Sequence, residues 1–168
     1  MTDRPQVRIR VAGPEDLPTL AHLLWLHAAP DEQAMQSPDS FAEEVVEWWG
    51  RHQSTHKGFL ARSGDAADVG MAWSALLPRT PRPGSVERWS AEIQSVFVLS
   101  EYRGTGIGSA LVRAAAEHAE LAGAARVTVH SGRKAVPVYE RLGFTSSPQL
   151  MDRMRQERLR TAHDDASG

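Results

Sequence analysis

Polar and apolar residues alternate from Gln6 to Val11, with Val7, Ile9 and Val11 on one side, which is the period of a half-buried strand. The period changes at Pro14-Glu15-Asp16. Acidic residues in a first turn, followed by Leu17, Leu20, Leu24 and Trp25 at helical spacing, predict a helix. A second helix is predicted over Phe41–Trp49, entered through Ser37-Pro38-Asp39-Ser40 and carrying Val45, Val46, Trp48 and Trp49. Gly58–Arg62 and Val69–Leu77 read as two strands of a hairpin joined by the turn-rich Ser63-Gly64-Asp65. The run Pro78-Arg79-Thr80-Pro81-Arg82-Pro83-Gly84 predicts an exposed loop, because its prolines remove donors and fix the chain in extended or turned form.

Ala91–Leu99 is a long strand that runs directly into a glycine-rich segment. From Ile107 a helix is predicted, with Leu111, Ala114, Ala115, His118 and Ala122 on one stripe and Arg113, Glu117 and Glu120 opposite; Gly123 is its stop. Arg126–His130 reads as a short strand and Lys134–Leu142 as a short helix that ends at Gly143, with Pro137 tolerated near its first turn. Phe144 onward predicts a final hairpin reaching about Arg155. The expected organisation is one domain over residues 1–155 and a polar, frayed tail over 156–168.

Composition narrows the function classes. At 168 residues, with 41% hydrophobic and 24% charged residues, the chain has the balance of an ordinary globular domain. A formal net charge of -2 leaves no excess positive field for a phosphate backbone, so nucleic acid is not an expected partner. The absence of cysteine excludes disulfides, thiolate metal sites and a cysteine nucleophile. No apolar stretch approaches the roughly 20 residues needed to cross a bilayer and the first ten residues lack a signal-peptide pattern, so no membrane is expected and a cytoplasmic location is. His22, His27, His52, His56, His118, His130 and His163 show no His-x-x-x-His pairing, and no metal is assigned; His118, on the apolar stripe, reads as a core histidine.

The chemistry lies in Arg103-Gly104-Thr105-Gly106-Ile107-Gly108. A strand that stops in an arginine and nearby glycines and restarts at once as a helix leaves several backbone N–H groups aimed at one spot beside a helix N-terminus, a ready anion site. Glycines at 104, 106 and 108 keep side chains out of the way of a bulky guest such as a pyrophosphate. A turn that binds nothing is the alternative. Ser109-Ala110 supplies no lysine, which disfavours a Walker-type loop and ATP hydrolysis; the glycine spacing also departs from a dinucleotide fingerprint, since Ser109 stands at the sixth position from Gly104.

Arg103-x-x-Gly106-x-Gly108 after Val96-Phe97-Val98 resembles motif A of the GCN5-related N-acetyltransferase (GNAT) family, and Ala135-Val136-Pro137-Val138-Tyr139-Glu140-Arg141-Leu142-Gly143-Phe144 is similar to its motif B. The resemblance covers about Val7 to Arg155 and implies an α/β fold: a mixed, mostly antiparallel central sheet of six to seven strands flanked by about four helices. It implies acetyl transfer from acetyl-CoA to a primary amine of a small molecule or peptide, with cofactor contacts from Phe97, Val98, Arg103, Gly104, Thr105, Gly106, Ile107 and Gly108, the amides of Phe97 and Val98 facing the pantetheine arm. Where relatives often carry an asparagine before motif B, this chain reads His130-Ser131-Gly132-Arg133-Lys134, so Ser131 is the candidate for that contact. A homodimer is a further expectation by analogy with relatives that pair through strand edges or C-terminal segments.

Roles follow from the reaction. An alkylamine with pKa near 10.4 is almost wholly protonated at pH 7, so a group must take its proton. Glu92, in the strand leading to the loop, matches the position of the family's catalytic glutamate and is the nominated base, directly or through water, with Gln94 able only to orient a water; a solvated glutamate is the alternative. Tyr139 falls where the family places a tyrosine that hydrogen-bonds the departing sulfur, a packed aromatic being the alternative. A thiol near 8.5 and a phenol near 10 differ by about 1.5 units, so full proton transfer from Tyr139 runs uphill by roughly 2 kcal/mol and a hydrogen bond suffices. Trp25, Trp48 and Trp49, with Met35, are candidates to line an acceptor site or pack the core, and Asp31, Glu32, Asp39, Glu43, Glu44 and Glu47 either attract a cation or are solvated. Two rivals stand beside small-amine acetylation: a CoA-binding module without turnover, and acetylation of protein N-termini or lysines.

Overall fold

A computed structural model describes residues 7–151. Five strands, β1 (Arg8–Val11), β2 (His56–Arg62), β3 (Asp68–Pro78), β4 (Trp89–Val98) and β5 (Ala124–Val129), form one sheet in the order β1-β2-β3-β4-β5. The first four run antiparallel and β5 lies parallel to β4. The parallel pair needs a crossover, which α4 (Ile107–Leu121) supplies. The fold class is the expected one, with five strands among the described residues instead of six to seven. The missing hairpin is the reason: residues 144–151 form an irregular segment with a turn closed by Leu150 N–H to Ser147 O at 3.3 Å, and residues 152–155 lie outside the described ones. Gln6, placed in the first strand by its pattern, also lies outside them.

Helices cover both faces. On one, α4 lays Ile107, Leu111, Val112 and Ala115 against Phe59, Ala61, Val69, Ala72 and Ile93. Its buried stripe continues through Ala119, while Ala122 lies past the helix end and is exposed. On the other face, α1 (Leu17–His27) and α3 (Pro38–His52) bury Leu17, Leu20, Leu23 and Trp49 against Leu60, Met71 and Trp73. The entrance to α3 is the expected one: Ser40 N–H donates to Ser37 Oγ at 3.2 Å and Pro38 takes the first helical position, which no donor needs. Between α1 and α3 sits α2 (Pro30–Met35), one unanticipated turn and a half with no buried residue, held by Ala29 N–H to Glu32 Oε2 at 2.9 Å. The last helix, α5 (Val136–Arg141), ends at Gly143, whose φ of 88° is of the left-handed kind.

One polar pair ties β1 to α1. Arg10 donates from both terminal nitrogens to Asp16, at 2.5 and 2.6 Å, and Gly13 N–H adds a bond to the same carboxylate at 2.8 Å. The guanidinium bond holds the Asp16 carboxyl below its ordinary range despite burial. Val11, the last residue of β1, stands 45% exposed. Among the described residues no helix is long and apolar enough to cross a membrane, and no group of three or more His, Cys, Asp or Glu could hold a metal ion.

Candidate active site

The segment from Ser100 to Gly108 turns the chain from β4 into α4. A single tight turn, Ser100–Tyr102, is followed by Gly104 at φ 75° and Gly106 at φ 91°, backbone that a side chain strains. Thr105 Oγ1 donates to Tyr102 O at 2.6 Å and pins the turn. Gly106 is the N-cap of α4 and offers no side-chain cap, and the first helical bond runs from Ala110 N to Gly106 O at 3.0 Å. The amides of Ile107, Gly108 and Ser109 therefore precede the first intrahelical donor, Ala110 N–H, and converge at the positive end of a long helix. A Cβ built on Gly104 or Gly106 meets nothing within 4 Å, so the space above these amides is open. Ile107 contributes an amide only, since its side chain is buried in the core.

The strand feeding this loop is half unpaired. In the β3–β4 ladder Trp73 registers with Ser95 and Ser74 with Ile93, so Gln94 is the extra residue of a bulge. On its other side β4 pairs with β5 only up to Ile93 opposite Val129, and from Gln94 to Val98 that side is open. Leu99 N–H bonds Val69 O at 2.9 Å, and antiparallel alternation then turns the backbone of Phe97 toward Met71 and that of Val96 and Val98 toward the opening. The backbone of Val98 thus faces the open side, and the Phe97 amide belongs to the β3 ladder. Arg103 closes the corner: its Nε donates to Val98 O at 2.9 Å and its guanidinium lies 5.7 Å from the centre of the Phe97 ring.

Glu92 sits where β4 and β5 begin to part, registered with Ala75 on one side and Thr128 on the other. Its Oε1 lies 3.2 Å from His130 Nε2, and its Oε2 accepts from Gln94 Nε2 at 3.4 Å. Each partner lines a different cavity. His130, with Ser131 and Tyr139, lines a groove of about 830 Å³ along β5 and α5. Gln94, with Leu24, Phe41, Trp48 and Trp73, lines a cavity of about 620 Å³ between the sheet and α1 and α3. The Glu92 carboxylate links the two.

Tyr139 packs against the α4-side core and meets Phe144 edge-on at 5.6 Å; burial pushes its phenol above the ordinary value of 10.0. The groove it shares with Ser131 is lined by β5, α4, α5 and the segment after α5, and not by the glycine loop. Of the tryptophans, Trp48 reaches the second cavity, Trp49 is buried, and Trp25 spends its N–H on Gln36 O at 3.2 Å; Met35 is 86% exposed. His118 is half-buried and packs edge-on to Phe59 at 5.6 Å. Two contributors, His130 and Trp73, escaped the sequence, and Gln94 was read without its bulge. His130 and Trp73 take their places from the β4–β5 and β3–β4 registers, which no local pattern carries, and the Gln94 bulge leaves no mark in an apolar-rich strand.

Similar proteins share this architecture. A glucosamine 6-phosphate N-acetyltransferase of Trypanosoma brucei brucei is 35% identical over 83 residues, covering 49% of this chain and 54% of that protein. A mycothiol acetyltransferase of Corynebacterium glutamicum is 39% identical over 66 residues, 36% of this chain and 23% of its own length. The chain therefore spans about half or less of these curated relatives. The crystal structure of a Trypanosoma brucei acetyltransferase superposes with a TM-score of 0.68 at 26% identity, covering 90% of this chain and 99% of that one. With the acetyltransferase (GNAT) family model matching residues 20–144, across the bulged strand, the glycine turn and α5, this chain belongs to that family.

Proposed function

We propose that the chain is an acetyl-CoA-dependent N-acetyltransferase acting on a primary amine of a small molecule or peptide. One observation carries the reading: the uncommitted amides that open α4 stand beside the unpaired half of β4, with the Glu92 carboxylate where β4 and β5 part. The donor fits what is present, because open space lies over Gly104 and Gly106 and no acidic side chain competes for the amides of Ile107, Gly108 and Ser109. When bound, acetyl-CoA supplies an acetyl group already activated as a thioester.

The chain's own residues supply the rest. The loop amides and the Arg103 guanidinium hold the pyrophosphate, with Thr105 at its flank. The outward backbone of Val96 and Val98 lines the pantetheine arm as a strand would, and Ser131 stands near the mouth between β5 and α5. Glu92 takes the proton that the incoming ammonium must lose, through a water held by Gln94, and His130 lies next to it on the solvent side with 67% of its side chain exposed. Tyr139 keeps its proton at neutral pH, more firmly than a free phenol, and so serves as a hydrogen-bond donor to the departing sulfur and not as an acid.

Calorimetric titration of acetyl-CoA into the purified protein, beside Gly106→Glu, tests the reading. Micromolar binding lost in the variant, followed by thiol release with an amine panel, is expected. Binding without release from any amine would make the chain a CoA-binding module, and no binding would remove the donor site.

A further inference from the structure

The cavity on the α1/α3 face differs in chemistry from the donor loop. Along α3, Phe41, Glu44, Val45, Trp48 and Arg51 recur at helical spacing and face it, with Glu47 beside them. Trp73 closes it from β3 and Gln94 from the β4 bulge. Its wall is aromatic in depth: Trp48 meets Trp73 edge-on at 6.0 Å, stacks on His52 at 4.5 Å and meets His56 at 4.8 Å. Burial pushes the His56 imidazole below its ordinary 6.5.

The charges are as telling. Two carboxylates and one guanidinium line the cavity, and among the described residues Glu44, Glu47 and Arg51 make no ion pair. The Glu92 carboxylate, which accepts from Gln94 of the cavity wall at 3.4 Å, adds a further negative charge behind it. An ammonium group entering here moves down a favourable field toward its base, whereas a phosphate meets three carboxylates for one arginine. The flat apolar walls suit a planar hydrocarbon body.

Resting on the acetyltransferase reading, we infer that the acceptor is a cationic primary amine carried on a flat apolar body without an anionic group, bound against Trp48 and Trp73. In the reaction the ammonium first gives one proton toward Glu92; the freed amine lone pair then forms its bond to the acetyl carbon as the carbon–sulfur bond breaks with its electron pair on sulfur, and the second nitrogen proton neutralises the departing thiolate as CoA thiol. The acceptor class therefore departs from the phosphorylated sugar named for the trypanosomal relative.

The test uses acetyl-CoA with 2-phenylethylamine, propylamine and glucosamine 6-phosphate, following kcat/KM by thiol release. The expected order places 2-phenylethylamine about tenfold above propylamine and about a hundredfold above the phosphosugar. Trp48→Ala should shrink the preference for 2-phenylethylamine over propylamine about tenfold, with Trp48→Phe keeping most of it. Glu44→Gln combined with Glu47→Gln should narrow the gap to the phosphosugar. Equal or better turnover of glucosamine 6-phosphate, or a preference ratio unmoved by Trp48→Ala, overturns the acceptor class while leaving acetyl transfer standing. Should no amine turn over, titration of 2-phenylethylamine into the CoA-loaded protein decides: binding weakened about tenfold by Trp48→Ala supports the site, and absence of binding overturns it.

Discussion

Replacing Gly106 by alanine separates backbone strain from ligand contact. At φ 91° an alanine costs about 1–2 kcal/mol in the left-handed region, and its stiffer unfolded chain returns about 0.4–1, leaving a net loss near 1 kcal/mol. For a chain of this size that lowers Tm by about 2–4 °C. The new methyl meets no protein atom within 4 Å, so the protein adds no clash; it projects into the space over the helix amides. If a pyrophosphate occupies that space, displacing one charge-assisted hydrogen bond costs about 1.5–3 kcal/mol, a rise in the CoA dissociation constant of about ten- to a hundredfold. Gly84 is the control: its φ is 79°, an added Cβ there also meets nothing within 4 Å, and it lies in the remote loop before β4. Gly84→Ala should lose the same few degrees and keep CoA affinity. Melting curves and calorimetry on both variants decide. Wild-type affinity in Gly106→Ala, or equal affinity loss in both, would refute an anion site at the start of α4.

Other expectations follow from the same geometry. Glu92→Gln should lower turnover about a hundredfold at pH 7, and the deficit should shrink toward pH 10 as the acceptor loses its own proton, which a pH–rate profile reads directly. Tyr139→Phe should reduce turnover about tenfold with CoA affinity nearly intact by calorimetry; unchanged turnover removes the phenol from the reaction. Asp16→Asn should destabilise the fold by about 2 kcal/mol in denaturant titrations, since a partly buried charge-assisted pair is lost. Because the folded carboxyl titrates below its ordinary value of 3.8, this contribution is complete above about pH 4 and fades as pH falls through the lower folded value, so wild type and variant should converge in acid.

Much of this architecture was legible in the chain. Alternation located β1, apolar runs bounded by turns located β2 and β3, and the change from apolar strand to glycines to apolar stripe located β4, the loop and α4. Those signals are local. The one-and-a-half-turn α2 carries no apolar stripe to announce it, being held by polar bonds: the Glu32 cap, Gln33 to the end of α1, and Trp25 to Gln36 O. The site divides in the same way. The glycine loop is continuous in sequence, so its turn into α4 was readable. The His130–Glu92–Gln94 link and the Trp48–Trp73 wall join distant segments through sheet register, which one sequence does not encode locally. Which of Phe97 and Val98 turns its backbone outward is hidden for a related reason, since it depends on the parity of the β3–β4 ladder.

The central claim is that this chain moves acetyl groups onto amines. Incubating the purified protein with acetyl-CoA labelled in the acetyl group and a pool of primary amines, then following the label by mass spectrometry, tests it most directly. Labelled N-acetyl product should appear in step with released CoA, abolished in Gly106→Glu and strongly reduced in Glu92→Gln. Label that stays on CoA, with CoA bound and every amine unmodified, would contradict it.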